Sequence, residues 1–261
     1  MRVTILGCGA STGVPVIGCN CRTCISENPK NTRSRVSILV QYATGATVLV
    51  DTSPDLRNQL LVNNIKRIDA IIYTHAHADH SHGIDDIRPF NMLQDAAIPA
   101  YGTADTLMDL KQRFSYVWPE NTKKYWPRAA LKAHEIEAGQ SIHLPSGEVI
   151  ETFEQTHGNG TTLGLKFGDI VYSTDVNAFP KASEPMLKNL KWWIVDCLRD
   201  GFAGSHASLD VALEWIEKYT PNNAVLTHMN HELEYEALNA RLPKNVFAAY
   251  DNMQIVDQTN N

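Results

Sequence analysis

A histidine-rich segment in the first third of the chain has the residue types and the spacing of a metal site. Thr74-His75-Ala76-His77-Ala78-Asp79-His80 offers three imidazoles and a carboxylate within six positions, a donor set that suits zinc, manganese or iron. Alternate side chains of an extended segment point to the same side, so His75 and His77 can face one ion. Asp79 and His80 lie on the following turn and can face a second ion. Two ions about 3.5–4 Å apart can share a hydroxide and clamp the oxygens of a displacement reaction.

A cluster of cysteines near the start of the chain has the spacing of a second metal site. Cys19-Asn20-Cys21-Arg22-Thr23-Cys24 holds three of the five cysteines, on a loop that we place at residues 18–24. Tetrahedral zinc takes four ligands, and His231 is the best candidate for the fourth. The alternative is a redox pair made by Cys21 and Cys24, which would favour a thioredoxin-like βαβ context that the sequence does not contain.

The composition excludes several classes of protein. The chain has 261 residues, of which 43% are hydrophobic, and a formal net charge of −6 at pH 7. This acidic balance argues against an extended nucleic-acid surface, and no apolar run approaches the roughly 18 residues of a membrane span. The N-terminus lacks the long apolar segment of a signal peptide, and an odd, clustered set of cysteines does not indicate a disulfide framework. We therefore expect a cytoplasmic protein that does not contact a membrane.

Short apolar strands that end at a polar residue are the elements that must position these side chains. Strands of this kind, bounded by turn residues, are typical of a buried sheet, and the sequence predicts six of them: Ser37–Val40, Thr47–Val50, Ala70–Tyr73, Asp169–Tyr172, Trp193–Val195 and Ala224–Leu226. Helices are predicted from Ser53-Pro54 towards Asn64, and from a cap at Ser208 to a point before Pro221. Two Trp-Pro pairs predict a loop or lid over Val117–Ala130. With no linker visible, residues 1–261 are expected to form one α/β domain.

The H-x-H-x-D-H pattern resembles that of the metallo-β-lactamase superfamily of hydrolases. The resemblance implies an αββα four-layer sandwich with two divalent ions, zinc or manganese, in its active site. It also implies three later ligands, which are found in order as His157, Asp175 and His228, and an early Asp51 that orients the ligands. The implied assignment places His75, His77 and His157 on one ion and Asp79, His80 and His228 on the other, with Asp175 bridging them.

The cysteine loop narrows the resemblance to one branch of that superfamily. A C-x-C-x-x-C motif near the N-terminus, with a histidine three residues after the last active-site histidine, resembles the PhnP-type phosphodiesterases. These enzymes open the cyclic phosphate of 5-phosphoribosyl 1,2-cyclic phosphate. The resemblance implies one structural zinc, bound by Cys19, Cys21, Cys24 and His231, and attack on phosphorus by a metal-bound hydroxide.

Two residues are expected to be catalytic on this resemblance, Asp79 and His206. His206 lies in Gly204-Ser205-His206-Ala207-Ser208 and matches an extra active-site histidine that contacts phosphate or acts as the general acid. The alternative is that His206 is a loop residue before the helix cap at Ser208. His82, just past the metal motif, is left without a role.

Three rival functions share parts of this pattern. A nuclease that processes tRNA 3′ ends has the same metal motif but commonly adds a basic arm, which the sequence lacks. A phosphodiesterase acting on nucleotides or short RNA ends stays open. A non-catalytic PqqB-like binding protein shares the cysteine motif without the intact ligand set that is present here. The pattern leaves the natural substrate, the ions of the paired site and the oligomeric state open, although the loops at Trp118 and Trp126 could contact a partner in a homodimer.

Overall fold

The computed structural model describes residues 1–119 and 129–257, which divide into two compact units. Unit 1 comprises Met1–Gly7, Arg35–Glu137 and Asn252–Asn261, and unit 2 comprises Cys8–Ser34 and Ala138–Asp251. Each unit is built on its own seven-stranded sheet. The expectation of one domain over residues 1–261 stays a prediction.

The sheet of unit 1 is antiparallel at one end and parallel at the other. Its strands are β1 (Arg2–Gly7), β2 (Ser37–Gln41), β3 (Thr47–Val50), β4 (Ala70–Ile72), β5 (Ile98–Gly102), β6 (Leu131–Glu135) and β14 (Met253–Val256). The order is β14-β1-β2-β3-β4-β5-β6, and the pairs from β3 to β6 are parallel. Parallel strands are covered on both faces and read as continuous apolar runs, which is how β3 and β4 appear in the sequence.

Among the described residues, four α-helices accompany this sheet: α1 (Leu56–Val62), α2 (Ala78–Ser81), α3 (Arg88–Gln94) and α4 (Ala104–Arg113). Leu56 and Leu60 of α1 and Phe90 of α3 join Leu49 and Ile71 of the sheet in one buried cluster. The predicted cap at Ser53 is wrong, because α1 begins three residues later than Ser53. The Ser53 hydroxyl instead accepts a hydrogen bond from the Asp55 N–H at 3.2 Å, closing a turn before the helix.

The sheet of unit 2 has the same division into an antiparallel and a parallel part. Its strands are β7 (Ser141–His143), β8 (Val149–His157), β9 (Gly160–Phe167), β10 (Ile170–Ser173), β11 (Trp192–Asp196), β12 (Asn223–Thr227) and β13 (Val246–Ala248), in the order β13-β12-β11-β10-β9-β8-β7. Strands β10 to β13 pair in parallel, so their carboxyl ends lie at one edge. Two α-helices belong to this unit, α5 (Leu209–Tyr219) and α6 (Tyr235–Asn239).

Helix α5 begins where the sequence predicts. The Ser208 hydroxyl accepts a hydrogen bond from the Val211 N–H at 3.3 Å, as an N-cap does. The helix buries Leu209, Ala212 and Ile216 on one face and ends before Pro221, which cannot continue it. All six predicted strands are confirmed, with ends that shift by one residue at most.

The predicted lid falls largely outside the described residues. Val117 ends a short 3₁₀ helix, Ser115–Val117, and is fully buried. Residues 120–128, including Trp126, lie outside the part that the structure describes, so the lid stays a prediction. Within residues 1–119 and 129–257, none of the helices has the length and apolar character needed to cross a bilayer.

Candidate active site

The histidine motif of unit 1 folds into a compact group directly after β4. His77 is still extended (φ −60°, ψ 154°) and precedes α2, which carries Asp79 and His80. The His75 ring centroid lies 4.4 Å from that of His77 and 4.3 Å from that of His80. The His80 Nε2 atom lies 3.5 Å from a carboxylate oxygen of Asp79. His75, Asp79 and His80 are buried and His77 is exposed, so the group lies at the surface end of a buried strand.

Asp51, the residue after β3, is hydrogen-bonded to His80 of this group and to the neighbouring Thr74. Its Oδ2 atom lies 2.7 Å from Nδ1 of His80, and its two oxygens accept hydrogen bonds from the N–H and the hydroxyl of Thr74, both at 2.8 Å. A proton on Nδ1 of His80 satisfies this contact and leaves Nε2 as the ligand atom towards Asp79. Burial raises the pKa of the Asp51 carboxyl above its ordinary value, while His80 and Thr74 act in the opposite direction.

Unit 2 brings together side chains from the ends of separate strands. His157 is the last residue of β8, Asp175 follows β10 and His228 follows β12. One Asp175 oxygen lies 3.7 Å from Nε2 of His157, and the other lies 3.5 Å from Nε2 of His228. The two oxygens of one buried carboxylate therefore face two different imidazoles, which is the arrangement that a bridging acid requires.

The spacing of these atoms within each unit fits neighbouring ligands of a divalent ion. Two ligands about 2.1 Å from one ion at a tetrahedral angle lie about 3.4 Å apart. The separations of 3.5 Å from Asp79 to His80 and of 3.5 and 3.7 Å from Asp175 to its two histidines match that value. Nδ1 of His157 lies 2.8 Å from the Ser205 carbonyl oxygen, so that nitrogen donates and Nε2 carries the lone pair.

His206 lies against the histidines of unit 2 but has a different partner. Its ring stacks on that of His228 with centroids 4.6 Å apart and meets that of His157 edge-on at 4.8 Å. Nδ1 of His206 lies 2.9 Å from Oδ2 of Asp196, the last residue of β11. Asp196 follows the predicted strand Trp193–Val195 and so occupies a polar strand end like those of the proposed ligands, but the sequence gives it no role.

Three residues of the two groups adopt a left-handed backbone. Asp51, Asp175 and His228 have φ values of 62°, 53° and 58°. Such values are uncommon for residues other than glycine, and cost of the order of 1–3 kcal/mol each where surrounding contacts impose them. Asp51 and His228 directly follow a strand and Asp175 comes one residue later, so the left-handed turn redirects the chain just past the end of each strand.

The cysteine loop and His231 form a separate group within unit 2. One donor atom from each of Cys19, Cys21, Cys24 and His231 lies within 4.8 Å of the others. Nδ1 of His231 is 3.2 Å from the Cys21 sulfur and 3.5 Å from that of Cys19. The contact with His231 lowers the pKa of the Cys21 thiol to about 6, whereas burial raises the pKa of Cys24 to about 11. Three sulfurs and an imidazole this close are the donor set of a structural zinc site.

His82, which the sequence left without a role, lies outside both groups. It caps the C-terminus of α2, is exposed, and meets Phe114 edge-on with ring centroids 5.4 Å apart. This packing accounts for the residue without a metal.

Comparison with known proteins finds a matching family model and similar solved structures. A family model described as a beta-lactamase superfamily domain matches residues 46–229. The crystal structure of a diphosphatase from the PhnP family is 36% identical and covers 98% of each chain with a TM-score of 0.91. The structure of Zn²⁺-bound PqqB from Methylobacterium extorquens is 17% identical and covers 98% of this chain and 100% of its own, with a TM-score of 0.78, a likeness of fold alone.

A curated relative is similar over the whole chain but is much longer. The octanoyltransferase of Porphyromonas gingivalis (strain ATCC BAA-308 / W83) is 32% identical over 262 residues, which is 99% of this chain and 52% of that protein. The chain thus spans about half the length of this relative.

Proposed function

Because this chain belongs to the beta-lactamase superfamily, we propose that it is a metal-dependent phosphodiesterase acting on a small cyclic or nucleotide-type phosphodiester. The predicted α/β metallo-β-lactamase fold is confirmed, as is the resemblance to the PhnP family, and both support a hydrolase of that fold. The observation that carries the finer proposal is the group formed in unit 2 by His157, Asp175 and His228, with an additional histidine, His206, packed against both histidines.

We assign the ligands as the family order implies. His75, His77 and His157 hold one ion, Asp79, His80 and His228 hold the other, and Asp175 bridges them. The geometry within each unit supports this, since the Asp79–His80 and Asp175–His228 separations are both 3.5 Å. Such ions, when bound, neutralise phosphate oxygens and make a nucleophile available near neutral pH. Cys19, Cys21, Cys24 and His231 are proposed to hold one structural zinc.

The proposed catalytic residues are Asp79 and His206. In the reaction, a water oxygen forms the new bond to phosphorus while the bond from phosphorus to the leaving sugar oxygen breaks. His206, with a proton on each ring nitrogen, gives the Nε2 proton to that leaving oxygen and keeps the Nδ1 proton in its contact with Asp196, while the proton lost by the water passes to solvent. The Asp79 carboxylate lies 3.5 Å from Nε2 of His80, within the group of polar side chains in unit 1.

The best candidate substrate is 5-phosphoribosyl 1,2-cyclic phosphate. The cysteine motif and the likeness to a PhnP-family protein support this choice. That relative is named a diphosphatase, so a diphosphate linkage is a second candidate, and its phosphate leaving group would depend less on a general acid. A tRNA 3′-processing role is disfavoured by the net charge of −6, because affinity for a nucleic-acid backbone comes mainly from cations.

The decisive experiment offers three substrates to the protein loaded with zinc or manganese. These are the ribosyl cyclic phosphate, an aryl diester with a p-nitrophenol leaving group, and a nucleoside diphosphate, with products followed by phosphorus NMR. We expect hydrolysis of the two diesters and about three ions per chain by elemental analysis. A protein with about one ion and no turnover would instead be a PqqB-like binding protein. Turnover of the nucleoside diphosphate alone would mean that the substrate is a diphosphate and not a phosphodiester. The homodimer and the cytoplasmic location stay predictions.

A further inference from the structure

Asp196 is a fully buried carboxylate whose contacts are imidazoles and one backbone amide. Its Oδ2 atom accepts a hydrogen bond from the Val176 N–H at 3.0 Å and lies 2.9 Å from Nδ1 of His206. Its Oδ1 atom lies 4.0 Å from Nδ1 of His228. Burying a carboxylate is costly unless its contacts compensate, so this residue needs an explanation in terms of what it holds.

The loop that carries His206 is fixed at both ends by its backbone. The Leu198 N–H donates to the Ala207 carbonyl at 2.9 Å, and the Leu209 N–H donates to the Arg199 carbonyl at 2.8 Å. Within the loop, the His206 N–H donates to the Ala203 carbonyl at 3.2 Å. The main chain of His206 is therefore held, and its ring is left with rotation about its side-chain bonds.

The same loop also contacts His157. The Ser205 carbonyl accepts the proton on Nδ1 of His157, so neighbouring residues of one loop serve a proposed ligand and the proposed general acid. Gly158, with φ +60°, lets the loop approach, since a Cβ atom there would lie 3.1 Å from that of Ser205. The position of the loop is thus defined without Asp196. What the carboxylate adds is the orientation and the tautomer of the His206 ring.

We propose that Asp196 is the positioning residue for His206: it holds one proton on Nδ1, so that Nε2 is the nitrogen that takes up the second proton and delivers it to the leaving group. This inference rests on the proposed function, in which His206 protonates the leaving oxygen. Which ring nitrogen of a histidine carries the proton is set by the hydrogen bond that the other makes. The hydrogen bond between Asp196 and Nδ1 of His206 is therefore sufficient to leave Nε2 as the nitrogen that is available to substrate.

The kinetic test compares Asp196→Asn with Asp200→Asn, the same change at an exposed carboxylate that pairs with Arg241. The asparagine keeps the shape and one acceptor at position 196 and removes the charge. We expect kcat for an alkyl diester to fall about 10–100-fold, as is usual when a partner that orients a site residue is removed. KM and ion content should stay unchanged, the p-nitrophenyl diester should slow far less, and Asp200→Asn should behave as the wild type.

Two kinetic outcomes would overturn the proposal. If Asp196→Asn slowed the hydrolysis of aryl and alkyl diesters equally, Asp196 would not act through the proposed general acid, His206. Loss of ions in Asp196→Asn would show that it acts through His228 instead. A double variant, Asp196→Asn with His206→Ala, should be no slower than His206→Ala alone, because residues that act as one unit are not additive.

A second measurement does not depend on turnover. In the zinc-loaded protein, ¹⁵N-histidine NMR reports the tautomer of His206, whose signals are identified by their loss in His206→Gln. We expect Nδ1–H in the wild type and a gain of Nε2–H in Asp196→Ala, with Asp196→Ser as a substitute should the alanine variant not fold. An unchanged tautomer in these variants contradicts the proposal. If the wild type hydrolyses no diester, the proposed function fails, whereas this spectrum still decides whether Asp196 positions the ring.

Discussion

The two units of the molecule supply their proposed ligands in different ways. Unit 1 takes His75, His77, Asp79 and His80 from one turn after a single strand, β4. Unit 2 takes His157, Asp175 and His228 from the ends of three strands, β8, β10 and β12. A contiguous set depends on local conformation, whereas a dispersed set depends on the register of a whole sheet. We therefore expect the unit 2 ligands to be the more sensitive to distant changes in packing.

The units nevertheless share one device, a buried aspartate at a strand end that holds an imidazole. Asp51 lies 2.7 Å from Nδ1 of His80, and Asp196 lies 2.9 Å from Nδ1 of His206. In unit 1 the held ring is a proposed ligand, and in unit 2 it is the proposed proton donor. The same contact thus serves metal binding in one unit and proton transfer in the other, and substitutions can separate these two uses.

The largest effect is expected at Asp175, on which the unit 2 set depends. Asp175→Ala removes the carboxylate that faces both His157 and His228, so binding of the paired ions should be lost. We expect turnover of aryl and alkyl diesters alike to fall by about a thousandfold or more, as when one member of a catalytic unit is deleted. Elemental analysis beside the kinetics checks this. Retained activity in a variant that has lost the paired ions would refute the two-ion assignment.

The next effect in size is expected at His206. His206→Ala should keep its ions, because Nδ1 of this ring is engaged by Asp196 and the assigned ligands are untouched. Loss of a general acid costs about 10²–10⁴-fold, and we expect this loss for alkyl diesters with poor leaving groups. The p-nitrophenyl diester needs little protonation and should be nearly unaffected. Equal losses on both substrates would mean that His206 contacts phosphate without donating a proton.

A smaller and less selective effect is expected at Asp51. Asp51→Asn weakens the hold on His80, a proposed ligand, and such changes cost about 10–100-fold in metal affinity or activity. Because the defect concerns the ions, both classes of diester should slow equally, and excess metal should restore part of the rate. Titration with zinc followed by kinetics checks this. If Asp51→Asn instead slowed alkyl diesters more than aryl diesters, as expected for Asp196→Asn, the Asp51 contact would not serve metal binding alone.

The contrast between contiguous and dispersed residues also explains what the sequence could predict. His75 to His80 are recognisable because their spacing alone implies a shared face, and the strands were found because parallel strands are continuously apolar. The role of Asp196 could not be predicted, since its partner His206 lies ten residues later across a loop whose path the sequence does not encode locally. The cap at Ser53 was misplaced for a similar reason. A Ser-Pro pair fits a helix start, but here the hydroxyl closes a turn with Asp55 instead.

The smallest effect on activity is expected at the cysteine group, although its effect on stability should be large. Cys21→Ser removes one of four donors, and the ion count should fall by about one per chain. His228 should keep its position, because the adjacent Met229 N–H donates to the Cys8 carbonyl at 2.9 Å whether or not the cysteine loop holds an ion. Activity should thus change only a few-fold, while each 1 kcal/mol of lost stability lowers Tm by about 2–4 °C.

Thermal unfolding, ion analysis and kinetics on one preparation of Cys21→Ser test these expectations together, with Cys197→Ser as a control at a buried thiol outside the group. The control should retain its full ion count even if its Tm falls, because the buried site loses packing and gains a hydroxyl. If Cys21→Ser lost activity to the extent expected for Asp175→Ala, the cysteine group would belong to the catalytic machinery. If instead it kept both its ion count and its Tm, no zinc would be bound there, and the close approach of three sulfurs to His231 would need another cause.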